Sequence, residues 1–173
     1  DVIAGDYNPT GKPTESFYKP TAQLPALSDF NMEGSTYRYS IDEPMYAFGY
    51  GLSYTTFNYG EGKLSKKSIK AGSNVNITVP VTNTGSLAGE EIVQVYVKAL
   101  DNPTAPIKSL KGFQKVNIQP GKTAKVKITL TPEAFEYYDE KIDELSVRPG
   151  KYQILYGSSS RDEDLKAIDF EVL

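Results

Sequence analysis

Cysteine and histidine are both missing from this 173-residue chain. Without Cys there is no disulfide, no thiolate nucleophile, no zinc ribbon and no iron–sulfur site. Without His, every Ser-His-Asp or Cys-His catalytic arrangement and every imidazole metal site is gone. Hydrolytic chemistry, if present, must rest on carboxylates, Tyr, Lys or a hard cation. Long apolar runs are absent as well, and none approaches the roughly 18–20 residues of a membrane helix. A polybasic block is lacking too: 19 Lys+Arg against 22 Asp+Glu leave a net charge of −3. Nucleic acid is therefore excluded as an expected partner. Neither an initiator Met nor a signal-peptide pattern precedes Asp1-Val2-Ile3-Ala4-Gly5, so the chain reads as a piece of something longer.

What is present falls into two textures. Residues 1–60 hold 12 of the 20 aromatics and 5 of the 11 prolines, with three basic and seven acidic residues. Pro9, Pro13, Pro20, Pro25 and Pro44 each lack an amide donor and restrict the residue before them, so neither an amphipathic helix nor a long strand is expected there. Disordered tails are poor in aromatics, and this stretch is rich in them. It reads as an extended strap that packs on a surface, this chain's own or another domain's.

Beyond residue 60 the apolar period becomes two. Val75, Ile77, Val79 and Val81 alternate with Asn and Thr, and Pro80 argues for an edge or a bulge. Val93, Val95 and Val97 oppose Gln94, Tyr96 and Lys98; Ala124, Val126, Ile128 and Leu130 oppose Lys125, Lys127 and Thr129. Strands are expected at 57–64, 74–83, 90–98, 110–118, 122–131, 151–156 and 167–172. Turn signals separate them at Asn83-Thr84-Gly85, Asp101-Asn102-Pro103, Gln119-Pro120-Gly121 and Arg148-Pro149-Gly150. One short helical turn is expected from Pro132, capped by Thr131. Seven strands with no long helix predict an all-β fold: an antiparallel β-sandwich of immunoglobulin or fibronectin type III kind over 57–173, preceded by the strap over 1–56.

Few residues suggest chemistry. Gly5 to Lys12 has the G-x-x-x-x-G-K spacing of a phosphate loop, but Pro13 stands where Ser or Thr is needed and no helix follows. Acidic groups cluster at Glu90-Glu91, at Asp139-Glu140 with Asp143-Glu144, and at Asp162-Glu163-Asp164. Asp162–Asp164 lacks the Gly-bearing loop of a calcium site and runs directly toward a strand, and none of the clusters suggests the paired carboxylates of a glycosidase across a sugar-sized cleft. No metal site, no cofactor and no catalytic residue is expected. Asn76-Ile77-Thr78 matches the glycosylation pattern inside an expected strand. Eight aromatics crowd residues 37–59. Flat rings with polar tips suit a domain interface, and they suit sugars. Tyr37, Arg38, Tyr39, Phe48, Tyr50 and Tyr54 are the candidate docking residues; Tyr37, Arg38 and Tyr39 are also the candidates for substrate binding.

Several of these segments resemble, in order, the C-terminal end of family 3 glycoside hydrolases, the β-glucosidase and β-xylosidase family. Gly5-Asp6-Tyr7-Asn8-Pro9-Thr10-Gly11-Lys12 is similar to the close of that family's α/β sandwich domain. Gly34-Ser35-Thr36-Tyr37-Arg38-Tyr39 and Phe48-Gly49-Tyr50-Gly51-Leu52-Ser53-Tyr54-Thr55 resemble two of its C-terminal motifs. Leu110-Lys111-Gly112-Phe113, Pro120-Gly121 and Pro149-Gly150-Lys151-Tyr152 resemble its fibronectin type III-like domain. The departures are Pro13-Thr14-Glu15-Ser16-Phe17 for Leu-Pro-Val-Thr-Phe, Ser35 for Arg and Ala47 for Pro.

The resemblance implies an accessory part of a retaining glycosidase that acts without a cofactor on terminal β-linked glucose or xylose. It implies that the nucleophile Asp lies in an N-terminal barrel and that the acid/base comes from an upstream region. Neither is then in this chain, which accompanies the barrel and the α/β sandwich domain of the same enzyme. Those domains would be the partners on which the strap docks, with Arg38 pairing with a carboxylate across the interface. In the isolated chain the strap would instead be mobile or pack on a second copy, giving a homodimer. Carbohydrate would be met through the complete enzyme, outside the cytoplasm. The rival reading is an autonomous carbohydrate-binding or cell-surface adhesion module.

Overall fold

The computed structural model describes residues 1–19, 28–139 and 142–173. Pro20, Pro25 and Glu140 lie outside the described residues. Between Phe57 and Val172 the chain forms two facing sheets and a hairpin. In the first sheet β4 (Val75–Asn83) pairs along one side with β7 (Thr123–Leu130). Its other side is shared by β1 (Phe57–Tyr59) and β2 (Lys63–Leu64). The second sheet runs β3 (Ser68–Ile69), β11 (Leu165–Val172), β10 (Gly150–Gly157), β5 (Gly89–Ala99) and β6 (Ser109–Ile118). All pairs are antiparallel except β3 with β11. β8 (Glu136–Asp139) and β9 (Glu144–Val147) make the hairpin.

The period of two sets the core. Val75, Ile77, Val79 and Val81 of β4 have no exposed surface, and neither do Val93, Val95 and Val97 of β5. Val126, Ile128 and Leu130 join them from β7, with Ile154, Phe170 and Val172 from β10 and β11. Each such side chain contributes roughly 1.5–3 kcal/mol before the entropy of ordering is subtracted. Phe135 stacks on Phe170 at 5.3 Å and meets Tyr152 edge-on at 5.4 Å, closing one end. The expected β-sandwich is the fold.

Three details depart from the expected strands. The segment at 57–64 is two strands, because the chain swings out at Gly60–Gly62. Pro80 explains why: its carbonyl accepts the Gly60 N–H at 2.8 Å. The N–H and C=O of a strand residue face the same side, so the missing proline donor also points into this gap. Pro80 thus lies in a central strand but at a local edge. The turn at Pro132–Phe135 is 3-10, with Pro132 first, and the Thr131 side chain makes no capping hydrogen bond. β3, β8 and β9 have two to four residues each and no alternation long enough to read.

In the strap, Thr36–Tyr39 makes a single helical turn, α1. Phe17 bridges to Tyr46 in antiparallel fashion, with the Phe17 N–H donating to the Tyr46 carbonyl at 2.9 Å.

Candidate functional site

The strap lies on the outer face of the second sheet. Alternation along β5 puts Gln94 and Tyr96 on the side away from the core, yet they are 3% and 0% exposed. The cover is the strap. Tyr37 meets Tyr96 edge-on at 5.8 Å and stacks on Phe48 at 4.3 Å. The Leu110 N–H donates to the Tyr37 hydroxyl at 3.0 Å, and the Ile107 N–H to the Arg38 carbonyl at 2.7 Å. Ser160 N–H donates to the Phe48 carbonyl at 2.9 Å. The Gln94 amide donates to the carbonyls of Gly49, at 3.0 Å, and Ser158, at 2.6 Å, while its oxygen accepts the Tyr96 hydroxyl. Gly49 has a φ of +74°, and a Cβ there would stand 2.0 Å from the Gln94 oxygen. Only glycine permits that approach.

A second anchor lies at the start of the strap. Lys12 meets Glu91 at 3.0 Å and donates to the Ser158 carbonyl at 2.8 Å. The Tyr59 hydroxyl donates to the same Glu91 oxygen at 3.0 Å. Burial, the Glu91 charge and that hydrogen bond push the Tyr59 hydroxyl well above the usual tyrosine range. Asn8 accepts the Ser53 hydroxyl and the Tyr54 N–H through one side-chain atom and donates to the Ala88 carbonyl through the other. The phosphate-loop spacing therefore serves a clamp: its lysine is consumed in a buried ion pair.

The candidate residues divide. Tyr37, Phe48 and Tyr50 are half-buried, and Tyr37 and Phe48 face the sheet. Burial raises the Tyr37 hydroxyl, the Leu110 amide and Arg38 opposing. Tyr50 lies beneath Arg161, whose guanidinium carbon is 5.8 Å from the ring centre. Tyr54 is exposed, its hydroxyl donating to the Val2 carbonyl. Arg38 sits over Tyr39 at 5.4 Å, and among the described residues it has no carboxylate partner. Its Nε is buried without an acceptor.

The strap's other side is open. Eleven of the eighteen large exposed apolar side chains among the described residues lie in positions 1–56. Phe17, Met45 and Tyr46 form one patch, with Phe17 edge-on to Tyr46 at 6.1 Å and Tyr46 leaning on Tyr50 at 5.7 Å. Beside it a cavity of about 400 Å³ lies between Tyr18, Tyr37, Lys108 and Arg161.

The acidic clusters do not converge. Glu90 pairs with Lys115 at 2.6 Å, Glu163 with Arg161 at 3.1 Å, and Asp162 with Lys108. No group of three or more metal-ligating side chains occurs among the described residues. Glu91, read in sequence as one of an acidic pair, proves to be a buried strand residue. Sequence reasoning missed Asn8, Lys12 and Gln94 as anchors. In the alternation Gln94 stands opposite the valines, as a solvent-facing residue would, so nothing local signalled that its face would be covered.

Residues 91–160 match the family model of the fibronectin type III-like domain. The chain is 48% identical over 168 residues to a xylan 1,4-β-xylosidase of Xylanibacter ruminicola, a match covering 97% of this chain and 19% of that protein. It is 40% identical over 180 residues to thermostable β-glucosidase B of Acetivibrio thermocellus, covering 96% and 24%. The solved β-glucosidase of Erythrobacter marinus superposes with a TM-score of 0.82 at 34% identity, covering 99% of this chain and 23% of that one. The chain thus spans about a fifth to a quarter of the length of these relatives.

Proposed function

Because the chain carries a fibronectin type III-like domain and is homologous to family 3 β-glucosidases and β-xylosidases, we propose that it is the accessory part of such an enzyme. The complete enzyme hydrolyses terminal β-linked glucose or xylose without a cofactor, using carboxylates that this chain does not supply. The chain's own task is structural: the strap joins the sandwich to the barrel and α/β sandwich domains. Its place of work is outside the cytoplasm, a reading supported by the similarity to a periplasmic β-glucosidase of Salmonella typhimurium.

One observation carries the docking reading: the strap has two unlike faces. Tyr37, Phe48 and Gly49 are spent on the sandwich, so the strap has a fixed shape on that side. Phe17, Met45 and Tyr46, each about half exposed, remain on the other. Exposed apolar patches of this kind mark interaction surfaces.

The test uses the 173-residue chain and the remainder of its enzyme, produced separately. The chain alone should not hydrolyse aryl β-glucosides or β-xylosides. It should bind the remainder, and binding should protect the amides of Met45 and Tyr46 from hydrogen exchange. Tyr46→Asp should weaken that binding at least tenfold without altering the sandwich's thermal unfolding. Turnover by the chain alone, abolished by mutating one of its own acids, would overturn the accessory reading. Absence of binding, or binding indifferent to Tyr46→Asp, would overturn the docking reading.

A further inference from the structure

A second cavity, of about 410 Å³, opens where α1, the 102–106 loop, Lys111 and the β8–β9 hairpin meet. Its size falls within the range of about 300–1,000 Å³ typical of small-molecule clefts. Neither the anchoring of the strap nor its open face uses it.

Two residues of its lining carry a buried polar atom without a hydrogen-bond partner. Arg38 enters with no carboxylate partner among the described residues and with its Nε buried and lacking an acceptor. Tyr137 is 8% exposed, and its hydroxyl closes no hydrogen bond, although the Ala99 backbone lies close. Lys111, the bulge residue left unpaired where the β5–β6 register shifts, reaches the Glu133 carbonyl at 3.1 Å. Burial and the neighbouring Arg38 pull the Lys111 amine below its usual range, Glu136 opposing. The rings of Tyr39 and Tyr138 form walls.

The charges choose among ligand classes. Two cations, Arg38 and Lys111, share the cavity with two carboxylates, Glu133 and Glu136. An anion would gain from the first pair and be repelled by the second, so a carboxylate or phosphate ligand fits poorly. Vicinal hydroxyls both donate and accept, and so can satisfy Arg38, Lys111 and Glu136 together. Aromatic faces suit the apolar face of a sugar ring.

We propose that this cavity binds a neutral saccharide of one or two pyranose rings, seated against Tyr39 and Tyr138 and hydrogen-bonded by Arg38, Lys111 and Glu136. It is a site on the sandwich itself, and its existence does not depend on the docking reading; only the choice of probe sugars rests on the activity proposed above.

The experiment is an amide NMR titration of the 173-residue chain with xylobiose and, separately, cellobiose. At least one disaccharide should produce saturable shifts at Tyr39, Thr104, Lys111 and Tyr138 with a millimolar dissociation constant. Arg38→Ala and Tyr39→Ala should each weaken binding tenfold or more, while Lys127→Ala, on the far sheet, should change nothing. Tyr138→Ala replaces either cavity variant that fails to fold. The proposal is overturned if neither disaccharide gives saturable shifts, if the shifts map elsewhere, or if the cavity variants bind as well as the parent. It is equally overturned if acetate, and not the sugars, perturbs these amides, because the cavity would then be a socket for a protein carboxylate.

Discussion

Lys12 and Glu91 show how a single pair ties the strap to the sheet. Their side chains are 12% and 8% exposed, so neither charge is well hydrated. Removing one partner of a buried pair typically costs about 3–5 kcal/mol, because the survivor is left unpaired in a poorly solvated place. Glu91 would keep only its hydrogen bond from Tyr59. Lys12→Met should therefore lower stability by on the order of 3 kcal/mol in urea unfolding. The double variant Lys12→Met with Glu91→Leu should recover much of that loss, since no buried charge remains. Equal unfolding midpoints for Lys12→Met and the parent would show that the pair contributes nothing. In the sequence, Lys12 stood in a spacing that suggests phosphate and Glu91 in an acidic pair. Their meeting, 79 positions apart in the chain, carried no local signal.

At the scale of elements, the strap behaves as an added layer on a finished sandwich. The facing sheets bury their valines and isoleucines without it, whereas Gln94 and Tyr96 are buried only because it covers them. A chain of residues 57–173 should therefore still unfold cooperatively. It should melt roughly 5–15 °C lower than the full chain, as loss of a few kcal/mol moves the midpoint of a domain this size by several degrees per kcal/mol. A broad transition with exposed apolar surface would instead make the strap part of the core. Strand positions were readable from alternation, except where partners intervene. The split at Gly60–Gly62 follows from the proline opposite it, and the hairpin of β8 and β9 is too short and too polar to carry a period.

For the whole molecule, the tyrosines report how the layers close. Burial above all raises the hydroxyls of Tyr59 and Tyr96, and it pushes Tyr137 up to about 12. In the unfolded chain each would ionise near 10. The folded state thus holds protons that the unfolded state releases, so stability is fully present below pH about 10 and is lost as pH rises beyond it. The melting temperature should stay level from neutral pH to about 9.5 and then fall. Ultraviolet titration should show that a subset of the 13 tyrosines ionises only as the fold is lost. If all titrate together near pH 10 with the fold intact, the strap does not seal the sheet face.

Composition and alternation by themselves determined that this is an all-β sandwich without thiol or imidazole chemistry, and that an aromatic, proline-interrupted strap precedes it. Those properties are local: a period of two needs only neighbouring residues, and an absent residue type needs none. The motifs also carried the resemblance to family 3 glycosidases. Only the tertiary structure decided which face of the strap is spent on the sandwich, that Lys12 answers Glu91, and that Arg38 is left unpaired beside a cavity. Each of these depends on side chains brought together from distant strands, and on the desolvation that follows, which no spacing along the chain encodes.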